Sequence, residues 1–78
     1  MALLRLFAAA REAAGTARTD IDGATVGEVL AGAAARYGEG FAAILANSRV
    51  WLNGEPTDDS AAVGVADEVA VLPPVSGG

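Results

Sequence analysis

No histidine, cysteine or lysine occurs in this chain of 78 residues. The usual general base and metal ligand, the thiolate nucleophile and the Schiff-base amine are therefore missing from its side chains. What remains is carboxylates, hydroxyls and five arginines. Asp58-Asp59 and Asp67-Glu68 are the paired acids, and both read as turn and strand-entry positions, where carboxylates ordinarily solvate a loop. Gly38-Glu39-Gly40 lacks the further glycines and the Lys or Ser/Thr of a phosphate-cradling loop. One group belongs to no side chain: the α-carboxylate of Gly78. Pro73-Pro74 stiffens the segment that leads to it. Gly77 and Gly78 have no Cβ, so they form the narrowest end a chain can thread into another protein's active site. A carboxylate resists nucleophiles. It becomes an acyl donor only when its oxygen is made a good leaving group, for example by adenylation with ATP.

Composition narrows the classes further. Seventy-eight residues make one small domain, near the lower limit for a single hydrophobic core. Nineteen of its apolar residues are alanines and only 22 are larger, so the core must be compact. The absence of cysteine excludes disulfides and Cys-ligated metal centres, and no metal site is expected. A net charge of −5 argues against nucleic acid, whose binding draws on clustered positive charge. The apolar runs are broken by Arg or Gly too soon to span a bilayer, and no export signal is evident. The expectation is a cytoplasmic domain that binds neither nucleic acid nor membrane.

The elements that must position the terminus are marked by turn residues. Ala2 to Phe7 is a nearly continuous apolar run, the pattern of a buried strand. Ala8 to Ala14 consists of strong helix formers and ends at Gly15. Thr16 to Ile21 reads as a strand and Asp22-Gly23 as a turn. The main helix starts at Thr25, whose spacing to Glu28 is that of a capping box. Val26, Val29, Leu30, Ala33 and Tyr37 then share one face. Gly27 and Gly32 weaken this helix by about 1 kcal/mol each, so packing must hold it. Gly38 and Gly40 are expected to end it, with a further helical piece at Phe41 to Ala46 anchored by Phe41, Ile44 and Leu45. Arg49 to Leu52 is a strand leading into an Asn53-Gly54 hairpin, and Pro56 belongs on an edge. After a polar loop, Glu68 to Leu72 forms a second buried strand, stopped by Pro73-Pro74. Two apolar strands at the ends of the chain, paired centrally and in parallel, make an α+β fold: a β-grasp (ubiquitin-like) mixed sheet packed on one main helix, with short additional helical turns. Residues 1–74 would form the domain and residues 75–78 its tail.

These segments also carry a family resemblance that spans the chain. Leu6-Phe7-Ala8-Ala9-Ala10-Arg11-Glu12-Ala13-Ala14-Gly15 resembles the Phe-Ala-x-x-Arg-Glu-x-x-Gly segment of MoaD-type sulfur carriers, the small subunits of molybdopterin synthase in the MoaD/ThiS ubiquitin-like group. Ala24-Thr25-Val26 and Leu52-Asn53-Gly54 also fit. The most specific match runs from Asp67-Glu68-Val69-Ala70-Val71-Leu72 through Pro73-Pro74-Val75-Ser76-Gly77-Gly78, similar to the family's Asp-Glu-Val-Ala-x-x-Pro-Pro-Val-x-Gly-Gly.

The resemblance implies a mechanism in which Gly78 is adenylated and then thiocarboxylated, while Gly77, Ser76 and Val75 give the tail clearance. It implies two partners, a MoeB-type adenylyltransferase that activates the carrier and a MoaE-type large subunit of molybdopterin synthase. No cofactor would be bound; ATP would be used by the activating enzyme. Sulfur would pass to cyclic pyranopterin monophosphate. Phe7, Arg11, Leu72 and Pro74 match positions that would meet these partners. The sequence leaves open whether Phe7 and Leu72 face a partner or the core, because register is not fixed by composition. Arg11 and Glu12 equally suit a solvated helix face, and Trp51 reads as a core anchor. Pro56 stands where relatives often carry a larger apolar residue, which would shrink the docking patch. Two other readings stand beside this one. One is a sulfur carrier for thiamine-thiazole, cysteine or tRNA thiolation. The other is a β-grasp interaction module that uses its sheet surface and not its terminus.

Overall fold

The structure, a computed structural model, describes residues 2–74. Strand β1 (Ala2–Leu6) leads into helix α1 (Ala8–Ala14) and strand β2 (Arg18–Ile21). Helices α2 (Val26–Tyr37) and α3 (Glu39–Ala46) follow, then strands β3 (Arg49–Leu52), β4 (Glu55–Pro56) and β5 (Glu68–Leu72). The five strands form one mixed sheet in the order β2-β1-β5-β3-β4. The two apolar strands are central neighbours and run parallel, with Leu3 to Leu6 opposite Glu68 to Val71. Strands β2 and β3 flank them in antiparallel fashion, and the short β4 carries Pro56 at the edge.

Burial follows from this register. Alternate residues of a strand face opposite sides. Leu4, Leu6, Val69 and Val71 are buried on one side, with Ala2 and Ile21 beside them. The apolar stripe of α2 (Val26, Val29, Leu30, Ala33) closes over that side, and Phe41 of α3 completes the core. The two glycines within α2 mark close approaches: a Cβ on Gly27 would lie 3.1 Å from the Asp59 Cβ, and one on Gly32 would lie 3.0 Å from the Ile21 Cγ2. Packing that needs those approaches offsets the helix propensity they forfeit.

Three local signals read from the sequence are realised by specific bonds. The Thr25 hydroxyl accepts from the Glu28 N–H at 3.2 Å, and the Glu28 carboxylate accepts from the Ala24 N–H at 2.9 Å, one residue before the cap. Asn53 (φ 51°) and Gly54 (φ 85°) are both left-handed, as a tight hairpin between right-twisted strands requires. Gly15 caps α1, donating its N–H to the Arg11 carbonyl at 2.9 Å.

Two expectations need correction. Gly38 alone ends α2: at φ 94° and ψ −172° it occupies a region open to glycine, which turns the chain into α3 within one residue. Gly40 therefore lies inside α3, and the Tyr37 and Phe41 rings meet across the turn with centroids 5.3 Å apart. Trp51 is not a core anchor. Its neighbours Val50 and Leu52 pair with Val71 and Val69 and pack on the core, so Trp51 stands on the outer face opposite Ala70 and Pro56.

Replacing Thr25 by Ala removes the cap's acceptor. The expected loss is about 1 kcal/mol, read as a lower urea midpoint at unchanged slope. A midpoint equal to that of the parent chain would show that the Glu28–Ala24 bond alone holds this helix start.

Candidate functional site at the parallel strand ends

Because β1 and β5 are parallel, both strands leave the sheet at the same end. Leu6 is opposite Val71, so the next residues, Phe7 and Leu72, are neighbours on the outer face. Phe7 is 39 % exposed and Leu72 is partly buried, and neither belongs to the core. Of the two faces the sequence left open for this pair, the register selects the outer one. Arg49 of β3 lies opposite Leu72 on the same face.

The turn after Phe7 keeps it there. Phe7 remains extended (φ −124°, ψ 154°), while Ala8 adopts a left-handed φ of 51° and sends α1 back toward the helical side of the sheet. A left-handed alanine costs roughly 1 kcal/mol, so a small strain is held at the root of the patch. The Arg5 guanidinium lies 5.6 Å from the centroid of the Phe7 ring and 3.5 Å from the Glu68 carboxylate. Both contacts are solvent-exposed and weak. Their effect is to steady the ring's position.

Pro73 and Pro74 continue from Leu72, and Pro74 is exposed. Arg11 is exposed on α1, its N–H reaching back to the Phe7 carbonyl at 3.4 Å. The fold thus gathers Phe7, Leu72 and Pro74 at one sheet end, with Arg11 one helical turn away. Val75, Ser76, Gly77 and Gly78 lie outside the described residues. The outer face also carries Arg5, Arg18 and Trp51, a surface feature for which the composition gave no signal. The register alone reveals it.

Of the paired acids, Asp67 and Asp58 are engaged in turns. Asp67 immediately precedes β5, at the opposite end of that strand from Leu72. Its carboxylate accepts from the Asn53 side-chain amide N–H at 3.0 Å and the Gly64 N–H at 2.8 Å, and the Asn53 side-chain Oδ1 in turn accepts from the Glu68 N–H at 2.9 Å. These bonds, that from the Asn53 side chain first, hold the Asp67 carboxyl below the ordinary aspartate value of 3.8. Asp58 is lowered for the same kind of reason, by the Ser60 hydroxyl at 2.6 Å and then the Ser60 N–H at 2.9 Å. Both are turn-organising carboxylates in their ionised form. Among the described residues, no group of three or more acidic side chains is placed to hold a metal ion, and no helix is long and apolar enough to cross a membrane.

Comparison with known proteins fits this geometry. The model of the ThiS family matches residues 4–78. The chain belongs to this family of ubiquitin-like sulfur carriers. The crystal structure of small archaeal modifier protein 1 from Haloferax volcanii is 33 % identical, covers 97 % of each chain and superposes with a TM-score of 0.77. A Pyrococcus furiosus protein, provisionally assigned as molybdopterin converting factor subunit 1, is 25 % identical over 95 % of this chain and 97 % of its own, with a TM-score of 0.82. The Amycolatopsis orientalis BexX/CysO complex contains a chain of the same fold, 22 % identical over the full length of both chains, with a TM-score of 0.82. No curated protein matches by sequence.

The Asp67 arrangement gives a pH-dependent stability. A carboxyl lowered in the folded state stabilises fully above the unfolded value of 3.8, and that stabilisation is lost as pH falls through the lower folded value. Asp67→Asn is expected to be less stable than the parent chain at pH 7. The gap should narrow as pH falls below 3.8, measured as urea midpoints across the acid range. A gap independent of pH would assign the effect to hydrogen-bond geometry and not to ionisation.

Proposed function

We propose that this member of the ThiS family is the sulfur-carrying small subunit of a molybdopterin synthase, working in the cytoplasm. The observation that carries the reading is the placement of Phe7 and Leu72, side by side at the root of a segment ending Pro-Pro-Val-Ser-Gly-Gly. The Pyrococcus furiosus neighbour supports the choice of pathway, as does the Phe-Ala-x-x-Arg-Glu-x-x-Gly segment.

In this reading the domain docks and its terminus reacts. The Gly78 carboxylate attacks the α-phosphorus of ATP on a MoeB-type adenylyltransferase, giving the acyl-adenylate and releasing pyrophosphate. Sulfur at the sulfide level then attacks the acyl carbon and AMP leaves, so a C–S bond replaces a C–O bond without change of oxidation state. The thiocarboxylate enters a MoaE-type large subunit, where its sulfur attacks a side-chain carbon of cyclic pyranopterin monophosphate and displaces the oxygen bonded there, leaving a thioester between carrier and product. Water releases the acyl group as the ordinary carboxylate, ready for recharging. Two carriers in succession supply the two sulfurs of the dithiolene.

This chain contributes position and no acid–base chemistry. Phe7 and Leu72 offer an apolar patch flanked by Arg5 and Arg49. Arg11 and Pro74 lie where the partner's rim would meet them. Gly77, Ser76 and Val75 are small enough to pass a narrow channel. The carrier binds no cofactor in this scheme, and ATP is consumed on the enzyme.

A second use of the same activated end is favoured by the likeness to the Haloferax volcanii protein, which is named as a modifier. An amine on another protein would then take the acyl group. With no lysine in its own sequence, this chain could not extend such an attachment through an ε-amine.

Intact mass decides the chemistry. Incubation with a MoaD-type activating enzyme, ATP and sulfide should add about 16 Da, one sulfur for one oxygen, as expected of a substituted acyl-adenylate. A Gly78-deleted chain should show no gain. An unmodified parent chain with an intact fold would sink the proposal. Conversion of cyclic pyranopterin monophosphate on mixing the charged chain with a MoaE-type subunit would separate this pathway from other acceptors. Phe7→Asp should raise KM for activation by about tenfold at unchanged kcat, as removal of a docking contact does.

A further inference from the structure

The outer sheet face flanks only one side of the tail's root. On the other side, between the two short helices, lies an apolar groove of about 290 Å³. Ala9 of α1, Ala43, Ile44 and Asn47 of α3, and Pro73 and Pro74 line it. Ala9, Ala43 and Pro74 are exposed, so the depression opens to solvent. Asn47 is the one polar side chain in the lining, and its amide turns back to the Ala43 carbonyl at 3.3 Å. The groove exists because both helices present alanines where they flank the prolines: larger side chains at positions 9 and 43 would fill it.

Its place relative to the terminus says what covers it. Four residues follow Pro74, and fully extended they reach at most about 14 Å. An enzyme that encloses the Gly78 carboxyl must therefore bring the rim of its channel within that distance of Pro74. The root is bordered by the Phe7–Leu72 patch on the sheet side and by this groove on the helical side, with the two prolines between them. A rim that surrounds the root meets both.

We propose that the groove is a second docking point for the activating adenylyltransferase, which seats an apolar side chain of leucine or methionine size between Ala9, Ala43 and Ile44. The proposal rests on the carrier reading above. It gives that reading a two-sided grip: the sheet patch and the groove hold the root from opposite flanks, so the short tail enters the channel in one direction. Ordering the root on binding lowers the effective search of the reacting carboxylate.

The test uses Ala43→Glu, an exposed position on α3 that keeps a helix former, with Ala35→Glu on the exposed side of α2 as the control. Each full-length chain is titrated against a MoaD-type activating adenylyltransferase with ATP, following pyrophosphate release, after circular dichroism has shown the fold retained. Ala43→Glu should raise KM about tenfold or more with kcat within about twofold, the pattern of a lost binding contact. Ala35→Glu should match the parent chain. Equal KM values for the two variants would overturn the proposal. A fall in KM for Ala43→Glu would also overturn it, since that is the result expected if the chain's own Val75 occupied the groove and had to be displaced. A parent chain that is not adenylated at all would remove the carrier reading and this proposal together, a result distinct from either of the others.

Discussion

The parallel pairing of β1 with β5 is the constraint on which the rest of this molecule depends. It joins residues 3–6 to residues 68–71, almost the full length of the sequence apart. Contacts so distant are reached only after a large loop-closure entropy has been met. Here four buried aliphatic side chains, Leu4, Leu6, Val69 and Val71, repay it on the inner face. The same register decides what happens outside. With those residues turned inward, Phe7 and Leu72 must turn outward, and the chain must leave the sheet beside them. One set of backbone bonds thus builds the core and places the root of the tail.

The core is small, and its economy explains features that would look unfavourable alone. Large apolar residues are few, so α1 packs through alanines, Ala10 and Ala14, while α3 relies on Phe41, Ile44 and Leu45, and α2 admits Gly27 and Gly32 where a Cβ would lie 3.0–3.1 Å from its neighbours. A domain of this size has only a few kcal/mol of net stability. Caps and turn bonds such as Thr25–Glu28 and Asn53–Asp67 therefore matter in proportion. The Asn53–Asp67–Glu68 network ties the tip of the β3–β4 hairpin to the start of β5, fixing the register of β5 against β3 at one end of the sheet.

Features governed by local chemistry were legible before any coordinates. The capping box, the Asn-Gly hairpin, the alanine helix ending at Gly15 and the glycine after Tyr37 each depend on residues within a few positions of one another. Features governed by register were not. The strands Leu3-Leu4-Arg5-Leu6 and Arg49-Val50-Trp51-Leu52 carry apolar residues on both faces, so no alternation marks inside from outside. Sequence alone therefore reads the aromatic Trp51 as a core anchor and leaves Phe7 and Leu72 between two faces. Gly40 was misplaced because two glycines in three positions look alike in sequence, while only Gly38 adopts a positive φ. The arginines of the outer face were invisible for the same reason as Trp51: a net charge of −5 says nothing about which side carries the positive minority.

The lack of histidine, cysteine and lysine side chains suits the proposed carrier role. A reactive terminus borne by a domain rich in amines or thiols would meet nucleophiles on its own surface at high effective concentration. The side chains of this domain present carboxylates, hydroxyls and guanidinium groups, all weak nucleophiles near neutral pH. Asp67, whose carboxyl is held below its ordinary value, is drawn into a turn at the far end of β5, away from the exit at Leu72. The division of labour follows from that arrangement. In the proposed carrier reading the fold supplies rigidity, a recognition surface and a fixed point of departure, while proton and phosphoryl transfer would fall to the enzyme that receives the tail.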